Sequence, residues 1–126
     1  VRTERVPRAD LPGARRMGPV QDAPMIGAYA TRAEGRIAVI LTNRQVPDMP
    51  TPASGAGVTD VEVALPLSGP AIVQRYTMTG DYRTHSVDTD AVRVHERPAE
   101  RVPDASRIRV PAMQPGTTWI LVITPA

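Results

Sequence analysis

The 126-residue sequence has no cysteine. Disulfides and thiolate metal sites are therefore excluded, and the redox compartment stays open. Phe is also absent, with one Trp and three Tyr as the only aromatics. A core must then be assembled from Val, Ile, Leu, Met and Ala, which suits thin sheet-on-sheet packing better than a large aromatic pocket. Lysine is missing too. All fifteen basic residues are Arg, and thirteen carboxylates leave a net charge of only +2. Nucleic-acid binders show clustered charge with aromatics for stacking. Here only the first 16 residues are locally basic (Arg2, Arg5, Arg8, Arg15, Arg16), so no nucleic-acid partner is expected. No apolar run exceeds five residues, too short for a helix to span a membrane, and no membrane partner is expected. No signal peptide is visible, which leaves cytoplasmic and secreted locations both open. The first residue is Val rather than Met, as expected of a processed product or a piece of something longer.

Fourteen Pro and nine Gly interrupt the chain. No stretch of helical length escapes a breaker while showing a 3.6-residue apolar period. Strand-like alternation is frequent instead. It predicts strands over 25–31 and 36–43, joined by a hairpin turn at Glu34-Gly35. Ile37, Val39 and Leu41 share one face of the second strand, and Ala38, Ile40 and Thr42 the other, so both faces are apolar, as in a central strand. Further strands are predicted over 59–67 (Val61, Val63 and Leu65 inward), 71–79 (Ile72, Gln74, Tyr76 and Met78 on one face), 91–96, 106–110 and 117–124. The Pro-rich stretches 44–58 and 97–105 read as surface loops. The expected fold is all-β, an antiparallel sandwich of seven to eight strands, with residues 1–24 as a linker or extended basic arm and 25–126 as the sandwich.

Both histidines fall within "YTMTGDYRTHSVDTDAVRVHERP", residues 76–98. His85 and His95 are ten residues apart in different elements, which is not a metal-ligand spacing. Asp88-Thr89-Asp90 opens like a calcium loop but lacks the following Gly and the closing Glu. Neither a metal nor another cofactor is expected. Glu34 belongs to a turn and Glu62 to a solvated face, so no carboxylate pair of the glycosidase kind is visible. Ser54, Ser68, Ser86 and Ser106 lie in loops or turns, and G-x-S-x-G is absent. Of the aromatics able to stack on a sugar, Tyr76, Tyr82 and Trp119, the last sits in an apolar strand and reads as core. The residues left for contact with a carbohydrate or a partner are Tyr82, His85 and Asp81.

"AYATRAEGRIAVILTNR" (28–44) resembles the strand pair that opens the C-terminal β-sandwich of retaining glycoside hydrolases with a (β/α)8 catalytic barrel. "YTMTGDYRTHSVDTDAVRV" (76–94) is similar to a segment of alpha-L-arabinofuranosidases, family 51 especially. "IRVPAMQPGTTWILVIT" (108–124) resembles the closing Leu-Pro-Pro-x-Ser-x-x-x-Leu pattern of the same domains. Met78 stands where Leu is usual, His85-Ser86 replaces Asn-Thr, and Thr117-Thr118 takes the place of the closing Ser. The catalytic glutamates of that family belong to the barrel, and no residue here matches their motifs. The resemblance implies a non-catalytic accessory domain or subunit of a glycosidase acting on arabinofuranosides or xylosides. Its partner would be a catalytic barrel, with polysaccharide as a further possible contact. Two other classes stay open: a stand-alone carbohydrate-binding module, and an Ig-like structural or assembly domain.

Overall fold

A computed structural model of the protein describes residues 2–13, 16–45, 56–79 and 93–126. These form nine strands and no helix: β1 Arg8–Leu11, β2 Val20–Pro24, β3 Ile26–Ala33, β4 Arg36–Asn43, β5 Thr59–Ala64, β6 Ala71–Thr79, β7 Arg93–Val102, β8 Arg107–Met113 and β9 Thr118–Pro125. All pairing is antiparallel, in a five-stranded sheet of order β3-β4-β9-β6-β7 and two two-stranded sheets, β1-β2 and β5-β8. The five-stranded sheet and the β5-β8 pair share one core, in which Val39, Leu41, Val73, Leu121 and Ile123 meet Ile108 and Val110. This is the expected sandwich.

The β3-β4 hairpin forms as its sequence predicts. Ala33 pairs with Arg36, and the two turn residues Glu34 and Gly35 have φ of 50° and 76°, the left-handed pair that matches strand twist. Strands β4 and β6 coincide with the predicted 36–43 and 71–79. On β5 and β8 the alternation also sorts the side chains, with Val61, Ile108 and Val110 buried, and Trp119 is core as expected. On β4, where both faces read as apolar, Ile37, Val39 and Leu41 are the ones buried.

Two departures have a common cause. The predicted loop 97–105 continues β7 to Val102, and the strand predicted over 106–110 continues β8 to Met113, each past a proline. In β7 the register shifts between Val73 and Arg75, so Pro98 and Ala99 together oppose Gln74. In β8 a second shift places Pro111 and Ala112 opposite Asp60. A β-bulge leaves its extra residue out of the ladder, which is where a strand tolerates a missing N–H. Residues 8–24, which show no alternation, nevertheless contain β1 and β2. The Asp10 carboxylate accepts from the Asp22 amide at 2.8 Å, and Arg8 donates to Asp22 Oδ1 at 2.8 Å. Such bonds leave no apolar signature in a sequence.

At the second bulge Ala112 adopts φ 49°, and its N–H donates to Asp60 Oδ1 at 2.7 Å while Arg109 donates to Oδ2 at 2.8 Å. The backbone bond first, and the arginine second, hold the Asp60 carboxyl below its ordinary pKa. At the turn before β8, Asp104 is lowered in the same way by the backbone N–H and then the hydroxyl of Ser106. A carboxylate whose folded pKa is depressed adds stability above its unfolded pKa, and that contribution is lost as pH falls through the folded value. Asp60→Asn keeps an acceptor for Ala112 but cannot titrate. Its thermal midpoint, followed from neutral to acidic pH, should therefore fall less steeply on the acid side than that of the unaltered protein. Identical acid limbs would contradict this.

Candidate functional site

Of the residues singled out for contact, Tyr82, His85 and Asp81 all lie outside the described residues, as does the connection that bears them. His95 is described. It sits on the edge strand β7, exposed, opposite Thr77. Among the described residues no group of three His, Asp or Glu side chains is placed to hold a metal ion. Two other surfaces stand out, one on each face of the five-stranded sheet.

The first is its outer face. Cross-strand partners in an antiparallel sheet point to the same side, so the registers define rows. One row runs Tyr29, Ile40, Ile120, Tyr76 across β3, β4, β9 and β6. Beside it lie Ala38 and Val122, and farther along β6 and β7 come Ile72, Met78 and Val94. Tyr29 and Val94 are 64% exposed, and Ile40, Ile72 and Met78 each 37%. One end of the face is polar, where Thr42 and Thr118 hydroxyls lie 3.3 Å apart and the Arg44 guanidinium lies over Gly27. A Cβ at that position would come within 2.4 Å of Arg44 Nη2, so the arginine would have to swing away. The outer face of the β5-β8 pair has the opposite character. Arg107 reaches Glu62 at 2.6 Å and Arg109 reaches Asp60 at 2.8 Å, a ladder of ion pairs suited to water.

The second surface is a cleft of about 780 Å3 between β7 and β8. It exists because the small sheet is two strands wide and the large one five, so the inner side of β6 and β7 is left without a roof. Along β3, β4 and β9 the middle of the inner face is aliphatic, with Ala28, Ala30, Val39, Leu41, Leu121 and Ile123. On β6 and β7 the inner rows end in Arg75 opposite Arg97 and in Thr77 opposite His95. Trp119, the register partner of Thr77, forms part of the floor, and Arg97 lies over its ring with Cζ 4.9 Å from the centroid. Arg75, whose side chain is only 15% exposed, pairs with Glu100. Arg107 and Arg109 stand at the opposite rim. Among the described residues the charged lining is thus four arginines and one glutamate, with Arg107 and Arg109 engaged by Glu62 and Asp60. Trp119 is 8% exposed and belongs to the core, as its strand suggests.

The sequence reading did not single out Tyr29, although its alternation with Ala28 and Ala30 placed it on one face. The arginine pair had no sequence signal at all, because 22 positions separate its members and only the β6-β7 register joins them.

No family model and no curated protein matches the chain. Solved structures do. An arabinofuranosidase superposes with a TM-score of 0.68 at 15% identity over 94% of this chain. The thermostable GH51 alpha-L-arabinofuranosidase of Thermotoga petrophila RKU-1 gives 0.61 at 16% identity over 91%. The alpha-L-arabinofuranosidase of Thermotoga maritima, in its arabinose complex, gives 0.60 at 16% over 82%. The matched parts are 24%, 23% and 20% of those chains, so the protein spans about a quarter of their length. At such identities the likeness is one of fold. It is the fold implied by the resemblance of residues 28–44, 76–94 and 108–124.

Proposed function

We propose that the chain is the non-catalytic β-sandwich, as domain or subunit, of a glycoside hydrolase of the arabinofuranosidase kind, and that it stabilises a separate catalytic (β/α)8 barrel. The outer face of the five-stranded sheet carries this reading. A solitary soluble domain gains nothing from an exposed apolar row four strands wide, and contiguous apolar patches of that kind mark interaction surfaces. The similarity to a quarter of larger arabinofuranosidases supports a barrel as what lies against it. In this reading residues 1–24 form the connection, and the sandwich shields apolar barrel surface and braces the loops around the catalytic cleft.

The test is to produce the chain together with the barrel of the same enzyme and to follow their association by size-exclusion chromatography. Ile120→Arg and Tyr29→Asp place a charge in the middle and at the edge of the row. Each should weaken association by at least about tenfold, or about 1.4 kcal/mol, while the isolated chain keeps its fold. Arg107→Glu, on the ion-paired face, should leave association unchanged. Equal effects from both faces would overturn the docking face. Tyr29 and Tyr76 also lie in one row roughly 14 Å apart, three strand spacings, which suits a sugar-binding platform. Binding of xylan or arabinan fragments by the isolated chain, lost in Tyr29→Ala, would favour the carbohydrate-binding module. Self-association through the same row would favour an assembly domain.

A further inference from the structure

We propose that the cleft between β7 and β8 binds an acidic sugar, a uronate residue on an oligosaccharide, with its carboxylate held by Arg75 and Arg97. The sugar half of this statement rests on the glycosidase reading above; the anionic half rests on the cleft alone.

Arg75 and Arg97 are direct cross-strand partners on the inner face. Like charges in that relation repel and ordinarily destabilise a sheet. The single carboxylate among the described residues of the lining, Glu100, pairs with Arg75, and Arg97 is held by the face of Trp119. One glutamate does not balance two arginines. Arg107 and Arg109, at the opposite rim, are already paired with Glu62 and Asp60, so among the described residues of the lining the excess positive charge is that of the β6-β7 pair. A guanidinium stacked on a ring keeps its edge N–H donors free, and two such donors match the two oxygens of a carboxylate. Beside the pair, the exposed Pro98 and Pro111 offer apolar surface to the C–H face of a pyranose and the exposed Gln114 an amide to its hydroxyls, over a base in which Trp119, Ile108 and Thr77 are buried. The volume, about 780 Å3, falls in the range of small-ligand sites. Binding would involve no bond making. The positive pair would gain a counter-charge beyond the one that Glu100 supplies among the described residues of the lining.

Trp119 is the only tryptophan of the chain and lies in the cleft, so intrinsic fluorescence reports occupancy directly. The 126-residue chain is titrated with a xylo-oligosaccharide bearing one glucuronic acid, with the same oligosaccharide lacking the acid, and with inorganic phosphate. A saturable fluorescence change is expected with the acidic sugar alone, weakening as salt rises. Arg97→Gln, on an exposed edge strand, should bind about tenfold more weakly with an unchanged thermal midpoint. Arg75→Gln should do the same, but at some loss of stability because Glu100 is left without its partner. A response to the neutral sugar of equal strength, a matching response to phosphate, or no response to any of the three would each overturn the proposal. Ile120→Arg serves as the internal control. It removes barrel docking on the far side of the sheet and should leave the titration untouched, so failure of one reading is distinguishable from failure of the other.

Discussion

Replacing Asn43 with Leu should lower folding stability by about 3 kcal/mol, seen as a fall of roughly 10 °C in thermal midpoint. Asn43 ends β4 and is fully buried. Its amide donates to the carbonyl oxygens of Gly57 at 2.8 Å and Met113 at 3.0 Å. Its side-chain oxygen accepts from the backbone N–H of Gln45 at 3.1 Å and from Gln45 Nε2 at 3.2 Å. Its own backbone completes the joint, with Asn43 N donating to Thr117 O at 3.0 Å and Gly116 N donating to Asn43 O at 2.9 Å. One residue thus ties together the ends of β4 and β8, the approach to β5 and, through its backbone, the β8-β9 turn. Leu has the same branching but bulkier methyl groups, and it takes the side-chain partner from Met113 O and the Gln45 N–H, while Gly57 O keeps Gln45 Nε2 and Thr59 Oγ1. An orphaned buried group costs about 1–3 kcal/mol. Domains of this kind have only about 5–15 kcal/mol of stability in all. Urea or thermal unfolding decides the matter. A loss below about 1 kcal/mol would mean that the joint is held by its backbone bonds alone.

The substitution Asn43→Asp sharpens the point. It keeps the shape but removes both donors and turns a carboxylate toward two carbonyl oxygens. Burial and those oxygens favour its protonated form, so its pKa in the folded state rises above the unfolded value. The folded state then binds the proton more tightly, and the variant should gain stability as pH falls and lose it as pH rises. That sign is opposite to the one expected at Asp60.

Neighbouring positions on β9 should respond very differently. Leu121→Ala is expected to cost about 3 kcal/mol, and Ile120→Ala, one residue earlier, about 1 kcal/mol. Leu121 is fully buried, faces the inner side of the sheet and lies between Val39 and Arg75 in register. Truncation there opens a cavity that the β5-β8 pair on one side and β4 on the other cannot close. Ile120 points to the outer face between Ile40 and Tyr76 and is only half-buried, so the space it vacates is open to solvent. Denaturant midpoints of the two variants supply the comparison. Equal losses would show that the outer face is covered within the chain itself, which would remove the basis for docking there. For the barrel association proposed above the order should reverse, with Ile120→Ala the more harmful.

Much of the fold could be read from local pattern. The Glu34-Gly35 turn between two alternating runs specified β3 and β4, and the alternation in 59–67 and 106–110 separated inward valines and isoleucine from outward charge. Pro98 and Pro111 misled for a local reason. A proline normally ends a strand, and only the pairing partner shows whether a bulge has taken up the missing N–H. The contact residues inferred from residues 76–98, namely Tyr82, His85 and Asp81, fall outside the described part of the chain. The surfaces that the structure brings forward are elsewhere.

By itself the sequence determined that this protein is an antiparallel sandwich without disulfides, built on small aliphatics, because composition and period-two alternation are properties of neighbouring residues. It could not determine which apolar side of β4 and β9 would be buried. Val39 and Ile40, or Leu121 and Ile120, are equally apolar, and the choice depends on which side the β5-β8 pair covers. Nor could it set Arg75 against Arg97, since their meeting needs strand order, register and a bulge between segments distant in the chain. Those are decided only when the sheets close, and with them the apolar face and the charged cleft.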